Sequence, residues 1–152
     1  MNLYRITKTQ YANDLAGTGG LLGAGRWHRE GTRIVYTSGT VSLAMLEVLG
    51  HWARTPVGLS LLTIQIPNIA SVYLIDAAQL PAGWREEMHP ESLSTITTDW
   101  IQEGNYWIMR VPSVHSPTEY NYLLNPLHPE HQTLKIVGIE PHPFDPRLKT
   151  GS

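Results

Sequence analysis

Arg26, Tyr36, Glu47 and Ser113 are side chains whose types could do chemistry together. Arg26 directly follows Gly17-Thr-Gly-Gly-Leu-Leu-Gly-Ala-Gly25, a run with five glycines in nine residues. Such a run lets backbone N–H groups approach a ligand closely. A planar guanidinium just beyond it suits a phosphate, which it can grip with paired hydrogen bonds. Tyr36 offers an aromatic face to a planar ring. Glu47 can stabilise positive charge, and Ser113 stands at a strand end, where ligand contacts are common. A positively charged ring, a diphosphate and a sugar between them describe a nicotinamide dinucleotide. Cleaving its N-glycosidic bond builds an oxocarbenium-like ribose, which a nearby carboxylate stabilises. Spacing alone leaves other ligands open. The glycine run is neither a P-loop, since no Gly-Lys-Ser/Thr follows, nor a dinucleotide fingerprint, and it also reads as a flexible surface loop. Arg26 also fits an ordinary surface arginine, and Glu47 a structural ion pair with Arg26, Arg33 or Arg54.

The elements that must carry these groups centre on residues 34–51. Ile34, Val35 and Tyr36 are strand formers, and Ser38-Gly39-Thr40 is a turn whose hydroxyls can cap a following helix. From Val41 to Leu49 only Ser42 and Glu47 are polar. A helix apolar nearly all round is expected in a core, where an unpartnered Glu47 carboxylate would cost several kcal/mol, roughly. Residues 26–28 and 33–37 read as a hairpin across Gly31-Thr32. Strands are expected over Leu3–Ile6, Leu59–Ile66, Ser71–Ile75, Asn105–Val111, Tyr122–Pro126 and Leu134–Ile139. Helical structure is expected over Gln10–Leu15 and Ser92–Gln102, the latter ending at Gly104. Leu80–Pro90 reads as a loop and Pro141–Pro146 as an extended tail. Strands outnumber helices without alternating regularly with them, which gives an α+β fold.

At 152 residues, with 41% apolar and 16% charged residues, the chain suits one well-cored domain. Eleven basic and 13 acidic residues give a net charge of -2, too little positive charge for nucleic acid as the main partner. The absence of cysteine excludes disulfides, thiolate nucleophiles and Cys-ligated metals. Seven histidines are present, but His128, His131 and His142 lack a strong ligand spacing, so no metal is expected. A Ser–His–acid triad also lacks its nucleophile-elbow setting. No apolar run approaches a membrane span and the N-terminus has no signal-peptide core, so a cytoplasmic protein is expected.

Several short motifs in order carry a resemblance. They are Gly25-Arg-Trp-His28, Gly31, Val35-Tyr-Thr-Ser38, Ser42-Leu-Ala-Met-Leu-Glu47 and His51, then Arg110-Val-Pro-Ser113, Asn121-Tyr-Leu-Leu-Asn-Pro-Leu-His-Pro129 and Phe144-Asp-Pro-Arg-Leu148. Over nearly its full length the chain resembles the RES-domain toxins paired with Xre-type antitoxins. The family's Arg, Glu and Ser map to Arg26, Glu47 and Ser113, and its active-site Tyr to Tyr36. His28 departs from the Asn usual after Arg-Trp. The resemblance implies a RES toxin domain over 1–148 with a short tail at 149–152, and a split β-structure around a cleft, similar to ADP-ribosyltransferases. It implies a bacterial enzyme that consumes NAD as substrate, without a cofactor, by hydrolysis or phosphorolysis, with phosphate as one possible acceptor. The catalytic set would be Glu47, Arg26, Tyr36 and Ser113, and NAD would be held by Arg26, Tyr36, Ser38, Ser113 and Asn125. An Xre-like antitoxin would block the cleft, and nucleic acid would be met only through that antitoxin. Transfer of ADP-ribose to a protein is the alternative activity, and a non-catalytic binding module is the alternative class. The acidic balance and the weak histidine placement disfavour a ribonuclease.

Overall fold

Successive residues of the central strands feed two cores on opposite faces of one sheet. In the computed structural model, which describes residues 1–149, the strands are β1 (Asn2–Lys8), β2 (Val35–Ser38), β3 (Leu59–Gln65), β4 (Val72–Leu74), β5 (Ile108–Pro112), β6 (Tyr120–Leu124) and β7 (Lys135–Pro141). Their order is β4-β5-β6-β2-β1-β3-β7. The β4–β5 pair is parallel and the other neighbours are antiparallel. Ile108 and Leu124 join Leu3, Val35, Leu62, Ile64 and Trp107 in one cluster. Their neighbours Met109 and Leu123 join Trp27, Ile34, Leu93 and Trp100 in the other. That is the period-two alternation of a sheet covered on both faces. The helices are α1 (Thr18–Leu22), α2 (Val41–His51) and α3 (Ser92–Glu103). α3 supplies Leu93 and Trp100 and ends at Gly104 in the left-handed conformation (φ 66°), as its sequence indicates. The result is a single α+β domain.

The sheet is split near its middle. β1 and β2 pair only at Tyr4↔Ser38, whereas β1 pairs with β3 along its whole length. Where β1 and β2 part, Arg5 Nη1 donates to the Tyr36 carbonyl at 3.3 Å, a side chain standing in for the missing ladder. This gap is the floor of the cleft described below.

Several expectations are corrected. Residues 26–28 form no strand. Gly25 N–H donates to the His28 carbonyl and Thr32 N–H to that of Arg29, which folds the segment into tight turns. Both edges of β2 are already taken by β1 and β6. The glycine run is not a loop throughout, since Thr18–Leu22 is a helical turn entered from Gly17 at φ 72°. In place of the helical turn expected over Gln10–Leu15 stands a 3₁₀ turn over Thr9–Tyr11, and Pro146–Leu148 is also 3₁₀. α2 is not buried all round: only Leu43 and Ala44 are buried, and Leu46 is 43% exposed. The helix packs on β1 and β2 and forms an outer wall rather than a sandwiched core element. Lys149 is held, its Nζ donating to the Leu49 carbonyl at 2.5 Å and its own carbonyl accepting from Thr55 Oγ1. The rest of the expected tail, residues 150–152, lies outside the described residues.

Candidate functional site

Thr40 starts α2: its side chain accepts the Leu43 N–H at 3.1 Å and satisfies one of the open donors of the first turn. Glu47 follows two turns later and faces the ends of β5 and β6. Its Oε1 accepts from Ser113 Oγ at 2.8 Å and Asn121 Nδ2 at 2.7 Å. Asn121 Oδ1 in turn accepts from Ser38 Oγ at 2.7 Å, and Ser113 Oγ accepts the His115 N–H at 3.1 Å. One carboxylate oxygen is thus fixed by two donors that are themselves fixed. The other, Oε2, lies 3.8 Å from His115 Nε2. Among the described residues neither Arg26, Arg33 nor Arg54 pairs with Glu47. The expected arginine ion pair is replaced by a hydrogen-bonded cradle, which meets the partner requirement of a half-buried carboxylate without a cation.

The cradle borders a cleft of ≈ 460 Å³ walled by β1, Tyr36, Thr37, Ser38, Asn121 and α2 through Ala44, Glu47, Val48 and His51. A second lobe of ≈ 370 Å³ is lined by Asp14, the Gly17–Gly20 backbone, Leu22, His28 and Ile34. Arg5, Thr7, Tyr11 and Tyr36 line both. Each lobe is of the size usual for a small-molecule site.

Arg5 sits at the junction. Burial pulls its guanidinium below the ordinary value, while the Asp14 charge pulls the other way. Its Nη1 is held by the Tyr36 carbonyl, and the partly exposed side chain lines both lobes, so its charge is available to an anion in the cleft. Tyr36 is pushed well above the usual phenol range, first by burial and also by the Glu47 charge, against a backbone hydrogen bond from Trp27. Its hydroxyl therefore keeps its proton.

Arg26 is placed differently from the expected free clamp. Its Nη1 donates to the carbonyls of Trp84 at 2.6 Å and Glu86 at 2.7 Å. Burial lowers this guanidinium's pKa, and Glu47's charge opposes the shift, so the two groups act on each other across the site. Arg85 donates from the same loop to the Val114 carbonyl at 3.0 and 2.8 Å, which ties the Arg26 loop to the segment carrying Ser113. Asn125 lies apart. It follows β6 at the end where Val35 pairs with Leu124, whereas Ser38 pairs with Asn121 at the cleft end. Its side chain accepts the Leu127 N–H in a turn. His128 and His131 face different partners, respectively the Glu130 N–H and the Trp107 indole with the Leu15 carbonyl.

The RES domain family matches residues 2–146 of the chain. The chain belongs to the RES domain family. This RES domain is 39% identical over 155 residues to "Toxin Res" of Pseudomonas putida, covering 97% of this chain and 99% of that one. It is 36% identical to "Toxin Res" of Yersinia enterocolitica over 154 residues, covering 98% and 100%. To the "Prs ADP-ribosylating toxin" of a Sphingobium species it is 32% identical over 145 residues, covering 93% and 90%. Its fold is similar to that in the crystal structure of the M. tuberculosis MbcT–MbcA toxin–antitoxin complex, with a TM-score of 0.74 and 14% identity over 97% of this chain and 86% of that one. In this RES-domain toxin the sequence reading passes over Arg5, Asn121 and His115. A lone charge on β1 between Leu3 and Ile6 is the only local signal for Arg5. Asn121 opens one of the motifs that carry the resemblance but has no role assigned there, and His115 reaches Glu47 through a turn that leaves no mark in spacing.

Proposed function

We propose that this RES-domain toxin consumes NAD by cleaving the bond between nicotinamide and ribose. The carrying observation is the two-lobed cleft with the Arg5 cation at its junction and a cradled Glu47 carboxylate at one lobe. A dinucleotide needs those groups in that order. Its central diphosphate meets the guanidinium, and its nicotinamide riboside reaches the carboxylate.

In the reaction the C1′–N bond breaks and its electron pair leaves with neutral nicotinamide. Positive charge then builds on the ribose, where Glu47 stabilises it. Tyr36 provides the stacking face, and Ser113 and Asn121 hold Glu47 in place. An acceptor O–H adds to C1′ and gives up its proton. Water or phosphate is the acceptor in this reading. Transfer of ADP-ribose to a protein is the second reading, supported by the Sphingobium relative's name. An antitoxin that occupies the cleft would silence either activity; the fold neighbour was solved as a toxin–antitoxin complex, and an Xre-like partner is part of the proposal.

The test is incubation of purified protein with NAD, with and without phosphate, and identification of products by mass. Free nicotinamide with ADP-ribose or a phosphorylated ADP-ribose is expected. Intact NAD after prolonged incubation, under both conditions and with candidate protein acceptors present, would overturn the proposal.

A further inference from the structure

His28 lies at the back of the second lobe and is 6% exposed. Its Nε2 is 2.8 Å from the Gly23 carbonyl and its Nδ1 is 2.6 Å from the Tyr36 hydroxyl. A carbonyl only accepts, so Nε2 carries the ring proton. In the neutral ring Nδ1 is then a lone pair, and the phenol must donate to it. Gly25 makes the contact possible. A Cβ there would stand 2.8 Å from His28 Cε1, 3.0 Å from Nδ1 and 3.2 Å from Tyr36 Oη.

We infer that His28 is a positioning residue, which takes the Tyr36 hydroxyl proton as a hydrogen bond and so fixes both the tilt of the Tyr36 ring and the polarity its oxygen offers the cleft. The inference rests on the NAD reading above. With its proton directed to His28 and one lone pair taken by the Trp27 N–H, the phenol oxygen turns no hydrogen toward the cleft and keeps only residual acceptor character, which favours the positive charge that develops on the nicotinamide riboside. Protonation of His28 would put a hydrogen on Nδ1 and turn the phenol round, its proton toward the cleft. The charged groups facing this pair are Glu47 from α2, Arg5 from β1 and Asp14 from the segment between β1 and α1. Burial pulls the His28 imidazole below its ordinary value, so the neutral state holds at pH 7.

Three variants separate positioning from mere packing. His28→Asn places a non-titrating acceptor near Nδ1 and is expected to keep kcat within about threefold and to lose the acid limb of the wild-type pH profile. His28→Gln reaches toward Gly23 but presents no acceptor at Nδ1, and His28→Leu presents none at all. Each is expected to lower kcat roughly tenfold, the effect of one buried hydrogen bond on a rate. In a Tyr36→Phe background His28→Leu should add nothing, because the hydrogen bond is already gone. Full kcat in folded His28→Leu, or effects that multiply in the double variant, would overturn the inference. Should His28→Leu not fold, an unchanged acid limb in His28→Asn would overturn it. The ring ¹⁵N shifts of His28 provide a readout independent of turnover: protonated Nε2 and bare Nδ1 are expected, and the reverse tautomer would sink the inference even in an active enzyme. A wild type that leaves NAD intact while showing the expected tautomer would instead fault the NAD reading.

Discussion

Glu47 differs from an ordinary half-buried carboxylate in having one oxygen held by Ser113 and Asn121 and the other left toward the cleft and His115. A charge that stabilises an oxocarbenium acts mainly in the transition state, so its loss should lower kcat more than it raises KM. Glu47→Gln keeps an Oε1 that accepts from both neighbours, so the protein should fold with a nearly unchanged Tm while kcat falls roughly 10²–10³-fold. Measuring kcat and thermal unfolding on one sample decides it: a destabilised but fully active variant would remove Glu47 from catalysis. Arg5 and Arg26 are expected to part company. Arg5→Lys keeps the charge but loses the planar fork at the lobe junction, and should raise the KM for NAD roughly tenfold with a smaller change in kcat. Arg26→Ala releases the carbonyls of Trp84 and Glu86, and through Arg85 loosens the Ser113 segment, so kcat and KM should both worsen. An Arg5→Lys variant with wild-type KM would place the diphosphate elsewhere. The contact between Glu47 and Ser113 was legible only through the resemblance, since residue spacing leaves the ligand open. Arg5 was not, because its meaning comes from the parting of β1 and β2 rather than from its neighbours in sequence.

The elements show the same division between local and non-local causes. The turn and cap before α2 could be read from Ser38-Gly39-Thr40, because capping is a contact three residues long. The end of α3 at Gly104 could be read for the same reason. The environment of α2 could not. Its nearly all-round apolar surface pointed to a core, yet the helix packs one side on β1 and β2 and lines a cleft with Ala44, Glu47 and Val48. Apolar residues that face a ligand cleft look like core residues in a sequence, since both avoid charge. The supposed hairpin at 26–37 failed because β2 finds its partners in β6 and β1, far away in the chain. The cap supplies a prediction at this scale. Thr40→Ala removes the acceptor for the Leu43 N–H and should cost about 1 kcal/mol, or about 2–4 °C in Tm for a chain of this size. Ser42→Ala on the exposed side of the same turn should change stability by less than about 0.5 kcal/mol. Equal effects in thermal unfolding would show that the cap does not hold the helix.

Across the whole molecule, one buried and one half-buried histidine tie distant segments together, and this should make the fold acid-sensitive in two stages. His131 accepts the Trp107 indole N–H at 3.0 Å and donates to the Leu15 carbonyl at 2.8 Å, joining the start of β5 to the segment that leads into the glycine run. His28 does the same between Gly23 and Tyr36. Burial lowers both below the ordinary imidazole value of 6.5, each against a backbone hydrogen bond that pulls upward. The unfolded chain therefore binds protons at a higher pH than the native one, and stability rises with pH across that window. It should be full above about pH 6.5 and decline below it, each histidine contributing a slope of no more than about 1.4 kcal/mol per pH unit. A second decline belongs to carboxylates lowered in the native state, with the same sign. Glu130 is raised by burial but lowered further by its two Ser71 hydrogen bonds and the charge of His128. Asp14 is lowered by hydrogen bonds from Ala16 and Thr18. Their contribution is lost as pH falls below 4.5 and 3.8, their respective ordinary values. Denaturant unfolding of the wild type and of His131→Gln at a series of pH values separates the two stages. His131→Gln should be less stable at neutral pH, because the indole and the Leu15 carbonyl lose well-placed partners, yet its stability should fall less steeply between about pH 6.5 and 5. Parallel slopes for the two proteins in that interval would show that His131 takes up its proton without opening the fold.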